Sequence, residues 1–425
     1  MVKSLGRSIN IGFISFRFLG TDGVSLETSK WAEVLEEMGH KCYYFSGQSD
    51  RPSDRSMVVE EAHFLEPENR EYFLRFFSST RRTREETAWI HSRREYFKEH
   101  LYLFINEFRL DILIPQNILS FPLNIPLSMA LVEIIAETSI PTIAHHHDFT
   151  WERKPLLVNS IWDYINMAVP PHLPSVQHVV INSSAGHQLA RRVGVSSIIV
   201  PNVMDFENPP PEGDEYSSDL RVALGIEPDE LFVLQPTRVV QRKGIEHAIE
   251  LVSRLGRKAR LVVSHASGDD GYEYEARVAD FAERMGVRTI FSSERFGEYR
   301  GTTEDGKKIY SLSDAYPHAD LVTYPSLIEG FGNAFLEALY YKRPIVVNNY
   351  AIYATDIRPK GFKVIEFDDY ITERTIQDTL RILDDPSYQA EVCRFNYALA
   401  LRHFSYRVLR SQFEVLLANA FGTNG

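Results

Sequence analysis

Short apolar runs of strand length alternate with helical periodicity along the whole chain, and they do so in two successive series. Alternation of this kind builds parallel sheets with helices on both faces, which excludes all-helical, all-β and fibrous folds. The first series has strand-like runs at 9–16, 42–45, 112–115, 142–144, 178–182 and 198–200. After its first run, the turn Gly20-Thr21-Asp22-Gly23 opens a helix in which Trp31, Val34, Leu35 and Met38 fall at i, i+3, i+4 and i+7, and Gly39 stops it. The polar stretch 50–99, with interspersed aromatics, reads as helical excursions without an assigned place.

The second series has runs at 232–235, 260–264, 288–291, 320–323, 344–348 and 363–366, with a helix expected over 243–255. Between the series, Asn208-Pro209-Pro210-Pro211-Glu212-Gly213-Asp214 has the Pro, Gly and acid composition of a linker. A length of 425 residues with 44% apolar and 24% charged side chains suffices for two cores. The expectation is two doubly wound, Rossmann-like α/β domains, 1–207 and 208–403, facing across a cleft, with a closing helix at 404–425 that packs back on the first. Open α/β sheets bind ligands beyond the carboxyl ends of their strands, so residues that directly follow strands are the candidates.

Charge and composition narrow the partners. The net charge of −12 speaks against a general nucleic-acid or membrane-surface role. No stretch approaches the ~20 apolar residues that span a bilayer, and the start of the chain lacks a secretory signal, so cytoplasmic residence is expected. Cys42 and Cys393 offer neither a disulfide framework nor a zinc spacing and are expected to be buried thiols.

The strongest constellation follows the 320–323 run: a turn containing Glu329, Gly330, Phe331, Gly332 and Asn333 leads into a helix carrying Glu337, eight positions after Glu329. The glycines allow close backbone approach, and the N–H groups of Phe331, Gly332 and Asn333 at a helix N-terminus form an anion site suited to phosphate. Glu329 and Glu337 can accept hydrogen bonds from polyol hydroxyls. After the 232–235 run, Arg238 and Lys243 in the spacing R-x4-K can neutralise a diphosphate and make it a better leaving group. His145, His146 and His147 follow the 142–144 run. Consecutive strand residues point to opposite faces, so the three cannot converge on one ion and a metal site is not expected. Gln116, Asn117, Trp151 and Arg153 also sit at or just beyond strand ends, with the amides, indole and cation that suit a small hydroxylated acceptor. The first turn does not match a dinucleotide-binding glycine pattern, which disfavours a nicotinamide enzyme.

With these motifs in view, the chain resembles the retaining glycosyltransferases of family 4, which have the two-domain GT-B fold. The resemblance runs over nearly the full length: the glycine turn, the histidine strand end, Val200-Pro201-Asn202-Val203-Met204-Asp205, R-x4-K and the paired acids. It implies that Glu337 holds the nucleotide ribose, that Glu329 contacts the donor hexose, and that Arg238 and Lys243 bind the donor diphosphate. It further implies that His147, six residues after Pro141, hydrogen-bonds the transferred sugar, that Gly23 neighbours the donor phosphate, and that Thr21 and Asp22 contact the acceptor. The chain departs from the family pattern at Tyr340-Tyr341-Lys342-Arg343 and at Val203. More narrowly, residues 20–27, 145–153 and 337–350 are similar to compatible-solute enzymes, the group that includes the sucrose-phosphate and mannosylglucosylglycerate synthases.

The reading is a retaining hexosyltransferase that moves mannose or glucose from a nucleoside diphosphate sugar, such as GDP-mannose or UDP-glucose, to a small soluble hydroxylated acceptor. No cofactor is expected, and fixed cations take the place of a divalent ion. The rivals are a nucleotide-sugar 2-epimerase of the same fold and a non-catalytic nucleotide-sugar binding protein.

Overall fold

A computed structural model describes residues 7–20, 22–210, 212–265, 272–292 and 294–422. The chain divides into two compact units, Met1–Val203 with Tyr406–Gly425, and Met204–Ser405.

The first unit holds a seven-stranded parallel sheet in the order β3-β2-β1-β4-β5-β6-β7. Its elements are β1 (Asn10–Ile14), α1 (Gly23–Glu37), β2 (Lys41–Ser46), β3 (Ser56–Val58), α2 (Pro67–Phe76), α3 (Arg84–Glu107), β4 (Ile112–Pro115), α4 (Ile125–Thr138), β5 (Thr142–His146), α5 (Trp162–Ala168), β6 (Val176–Val180), α6 (Ser183–Val193) and β7 (Ser197–Ile199). Alternate strand residues feed opposite faces. Ile11, Phe13, Ile112 and Ile114 join α1 and the late helix Tyr406–Phe421 in one core, while Ile14 and Leu113 join α3 and α4 in the other. Gly12 has no Cβ because one would lie 2.5 Å from the Leu110 side chain and 3.0 Å from Phe104. Both cysteines are free and buried.

The second unit holds a six-stranded parallel sheet in the order β10-β9-β8-β13-β14-β15 and a small antiparallel hairpin, β11-β12. In chain order it comprises α7 (Leu220–Ala223), β8 (Leu231–Gln235), α8 (Ile245–Arg254), β9 (Ala259–Val263), α9 (Glu273–Arg284), β10 (Arg288–Phe291), β11 (Gly301–Thr302), β12 (Lys308–Ile309), α10 (Leu312–Ala315), β13 (Leu321–Tyr324), α11 (Asn333–Tyr340), β14 (Ile345–Asn348), β15 (Ile365–Phe367), α12 (Glu373–Asp384) and α13 (Pro386–His403). The helix Tyr406–Phe421, α14, then returns to the first unit.

Each sheet reverses its direction of growth beside its first strand. The chain proceeds from β1 to β2 and β3 and then crosses to β4; it proceeds from β8 to β9 and β10 and then crosses to β13. In an open α/β sheet such a reversal opens a crevice at the carboxyl ends of the two strands.

Some expectations shift. The helix expected over 243–255 begins at Ile245, because Gly244 adopts φ +59 and Lys243 closes a separate 3-10 turn, Gln241–Lys243. The run expected at 178–182 ends at Val180, and the side chain of Asn182 caps α6 by accepting from the N–H of Ala185 at 2.7 Å. The unplaced 50–99 stretch contributes β3, α2 and most of α3. The start of α3 is fixed by a capping box between Thr83 and Glu86. No helix of the described residues is long and apolar enough to cross a membrane.

Candidate active site

In the second unit, the carboxyl ends of β8 and β13, neighbours in the sheet, deliver the charged groups. Glu329, in the loop after β13, is buried and gripped by two cations. Lys243 bonds its Oε1, and Arg242 Nη1 lies 3.2 Å from its Oε2. Arg242 Nη1 also donates to the carbonyl of Ile328 at 3.1 Å. Side-chain exposure is only 11% for Lys243 and 9% for Glu329, so this pair is largely screened from water. Burial alone would push the Glu329 carboxyl up, but Lys243 and Arg242 outweigh it and hold the group below the usual range, ionised. Burial, opposed by Glu329 and reinforced by the positive charges of Arg242 and Arg238, lowers the Lys243 ammonium.

Glycine is required at two points of this frame. A Cβ on Gly244 would meet the Pro325 carbonyl oxygen at 2.4 Å, so the loops after β8 and β13 touch there. Gly332, at φ +126, caps α11, and a Cβ there would meet Tyr350 Oη at 2.4 Å. That hydroxyl donates to the carbonyl of Phe331 at 2.7 Å and pins the turn. Phe331 itself is buried, its ring packed edge-on against Phe404 at 5.5 Å, so only its backbone is suited to a ligand. Asn333 is the first residue of α11 and is half-buried.

Arg238 is exposed, and among the described residues its side chain has no hydrogen-bond or ion-pair partner while standing close enough to act on the charge of Lys243. Glu337 lies in α11. Its Oε2 accepts a 2.6 Å hydrogen bond from the hydroxyl of Tyr316, whose ring is stacked on Tyr341 at 4.8 Å and 2°. The family-atypical Tyr341 thus backs the support of the second acid.

The sequence reading overlooked Arg242, Tyr316 and His265. His265 is the second residue after β9, where the strand-end rule would have found it. Its Nδ1 lies 2.8 Å from Ser264 Oγ, and burial, with Arg238 and Lys243 nearby, lowers it to about 4, so it is neutral.

In the first unit, Gln116 and Asn117 after β4 form an uncharged network with the three histidines; the strand expected at 142–144 extends through His146, so His145 and His146 lie in β5 and only His147 follows it. Gln116 Oε1 lies 2.9 Å from His145 Nδ1 and 3.1 Å from His147 Nε2. Asn117, at φ +63, accepts the N–H groups of His147 and Asp148 on its side-chain oxygen, both at 3.0 Å. His146 turns to the other side and meets His178 at 2.8 Å, while His145 stacks on Trp31 at 4.0 Å. Burial, reinforced by neighbouring imidazoles, takes His145 and His146 well below the usual histidine value. Burial likewise lowers His147 to about 4, against the pull of Asp148 and Asp22. Among the described residues no group of three or more His, Cys, Asp or Glu is arranged to hold a metal ion.

Asp22 is the N-cap of α1, which begins at Gly23. One oxygen accepts from the N–H groups of Val24 and Ser25 at 3.1 and 3.2 Å, and the other accepts from Ser25 Oγ at 2.6 Å. Thr21 lies outside the described residues. Trp151 stacks on Phe149 at 4.5 Å, carries the Arg192 guanidinium 5.3 Å from its ring and donates its N–H to Gln188 at 2.8 Å, so the indole is already engaged within its own unit. Arg153 is half exposed and paired with Asp148 at 2.9 Å.

Residues 217–386 match the model of the glycosyl transferases group 1 family. Among solved structures, a glycosyltransferase from Rickettsia africae is similar with a TM-score of 0.69 at 14% identity, over 98% of this chain and 100% of that one. The sucrose-phosphate synthase of Thermosynechococcus elongatus is similar with a TM-score of 0.66 at 15% identity, over 98% and 99%. At those identities the likeness concerns the fold, and with two parallel α/β sheets it defines a GT-B glycosyltransferase architecture. In sequence, the chain is 32% identical to the mannosylglucosylglycerate synthase of Thermotoga maritima over 93% of its own length and 97% of that protein's. The chain belongs to the group 1 glycosyltransferases and is a hexosyltransferase.

Proposed function

We propose that this enzyme is a retaining transferase that moves a mannosyl group from a nucleoside diphosphate sugar to a small soluble acceptor of the glucosylglycerate type. The observation that carries the donor half is the gathering of Arg238, Lys243 and Glu329 at the β8/β13 reversal, with Glu337 on the helix that follows. The narrower choice of sugar and acceptor rests on the name of the Thermotoga relative.

In this reading the second unit holds the nucleotide, with Glu337 on the ribose hydroxyls and the α11 N-terminus on a phosphate. Negative charge grows on the diphosphate as the bond from the anomeric carbon to the phosphate oxygen breaks. Arg238 and Lys243 stabilise that charge more strongly in the transition state than in the ground state. Glu329 orients the oxocarbenium-like hexose through its hydroxyls. The acceptor oxygen bonds to the anomeric carbon on the face the phosphate leaves, and its proton passes to the departing phosphate oxygen. No side-chain base and no metal ion take part.

Product analysis after incubation with GDP-mannose or UDP-glucose, each with and without glucosylglycerate, tests the reading. A mannosylated acceptor with retained anomeric configuration is expected. An epimerised sugar nucleotide formed without acceptor would replace the proposal with a 2-epimerase, and binding without turnover would reduce it to a nucleotide-sugar binding protein.

A further inference from the structure

The arrangement around Glu329 poses a problem of charge. Lys243 is assigned above to the donor diphosphate, yet its ammonium is engaged with Glu329. A diphosphate that draws Lys243 away leaves a nearly buried carboxylate without its closest cation. An uncompensated buried charge is costly and is relieved by protonation, which would turn Glu329 from acceptor to donor toward the sugar.

The groups that face Glu329 are few. Arg242 and Lys243 come from the 3-10 turn after β8. Tyr324, at the end of β13, lies with its ring 5.5 Å from the Lys243 ammonium, and Tyr350 follows β14; burial, reinforced by the charge of Glu329, holds both phenols far above their usual value and so neutral. Arg238 acts on Lys243 and on His265 from the solvent side. Arg242 touches the carboxylate oxygen opposite to the one that Lys243 holds, and it is tied to the same loop through the Ile328 carbonyl at 3.1 Å; the neutral hydroxyls of Tyr324 and Ser326 also bear on the carboxylate but bring it no charge. It can therefore follow Glu329 while Lys243 turns to phosphate.

We infer that Arg242 is a positioning residue, the standing counter-ion of Glu329 that keeps this carboxylate ionised and aimed while Lys243 is handed over to the donor diphosphate. The inference rests on the donor-site reading above. It assigns the two adjacent cations different tasks: Lys243 serves the leaving group, and Arg242 serves the acid that orients the sugar.

The experiment compares the full-length wild type with Arg242→Gln, Arg242→Lys and Lys243→Ala. The measurements are calorimetric affinity for GDP and UDP, and kcat across pH at saturating donor and acceptor. For Arg242→Gln the expected result is nucleotide affinity within twofold of wild type, kcat down about tenfold or more, and an acid limb of the kcat profile displaced upward by about one pH unit. Arg242→Lys should restore most of the profile, because one positive charge suffices for a counter-ion. Lys243→Ala should lose nucleotide affinity as well as kcat. An unchanged kcat profile in Arg242→Gln overturns the inference, and so does a loss of nucleotide affinity equal to that of Lys243→Ala, which would make Arg242 a second phosphate ligand. A wild type that binds neither nucleotide overturns the donor-site reading itself, and the handover falls with it.

Discussion

The first unit places amides after β4 and imidazoles at the end of its neighbour β5, held neutral by burial. The second places cations and a carboxylate after β8 and β13, the two strands of its reversal. His145 and His147 converge on one amide oxygen of Gln116, whereas Lys243 and Arg242 converge on one carboxylate of Glu329. One sheet topology therefore serves two electrostatic tasks. A neutral, geometrically fixed network can present directed hydrogen bonds to a sugar without competing for its charge. A charged cluster can stabilise a diphosphate, provided each buried charge retains a partner.

The contrast would break most visibly in turnover. Arg238→Ala and Lys243→Ala are each expected to lower kcat about a hundredfold, since one charge-assisted partner in a water-poor site is worth on the order of 3 kcal/mol in the transition state. Arg238→Lys should recover little, because an ammonium lacks the planar two-oxygen grip of guanidinium. Steady-state kinetics at saturating acceptor that show wild-type kcat and only a raised KM would reduce the second unit's cations to ground-state binders.

A smaller effect sharpens the role of the second acid. Glu337→Ala should weaken the nucleoside diphosphate about tenfold or more, at ~1.5–3 kcal/mol for lost charge-assisted hydrogen bonds. Tyr316→Phe, which removes only the hydroxyl 2.6 Å from Glu337, should weaken it a few-fold. In a Glu337→Gln background the Tyr316 change should cost less, and strictly additive effects in calorimetry would uncouple the two residues.

The neutral network predicts a pH dependence of the opposite character. His146, His147 and His178 have values depressed by burial, the last two to about 4. The unfolded chain therefore binds more protons than the folded one between the ordinary histidine value near 6.5 and about 4. Stability should fall as pH drops through that window. The upper part of the window, above the carboxylate range, isolates the histidines. Trp31, Trp89, Trp151 and Trp162 are the chain's four tryptophans, and all lie in the first unit, so urea titration followed by tryptophan emission reads that unit alone. A midpoint that stays constant between pH 6.5 and 5 would remove the premise of a buried neutral network.

The smallest expected effect is none at all. Chelator should leave the rate nearly intact, because fixed cations and a helix N-terminus supply the positive charge. Abolition by EDTA with rescue by magnesium or manganese would bring a metal into the second unit's task.

These contrasts were unequally legible in the sequence. Buried parallel strands announce themselves as apolar runs, so the strand ends, and with them Gln116, Asn117, His147, Arg238, Lys243, Glu329 and Glu337, could be placed. The 50–99 stretch resisted because α2 and α3 have largely exposed, polar outer faces, although the Thr83 and Glu86 pair marked the start of α3. The hairpin β11-β12 left only the Asp305-Gly306 turn as a trace. Arg242 and Tyr316 were hidden for a different reason. Their partners, Glu329 and Glu337, lie 87 and 21 positions away, and no local pattern encodes a pairing of that kind.

The late helix α14 carries Leu409, Phe413, Leu416 and Leu417 into the core beneath β1 and β4, where Phe413 meets Trp31 edge-on at 4.9 Å. The consequence is one of timing on the ribosome. Synthesis delivers the whole of Met204–Ser405 before α14, so the second unit, which is continuous in sequence, can close its core first. The first unit, although translated earlier, waits with one face of its sheet covered in part by α1 alone until α14 has left the exit tunnel. A chain truncated before residue 406 would therefore leave Ile11, Phe13, Ile112 and Trp31 short of their packing partners, while the second unit has its whole sequence.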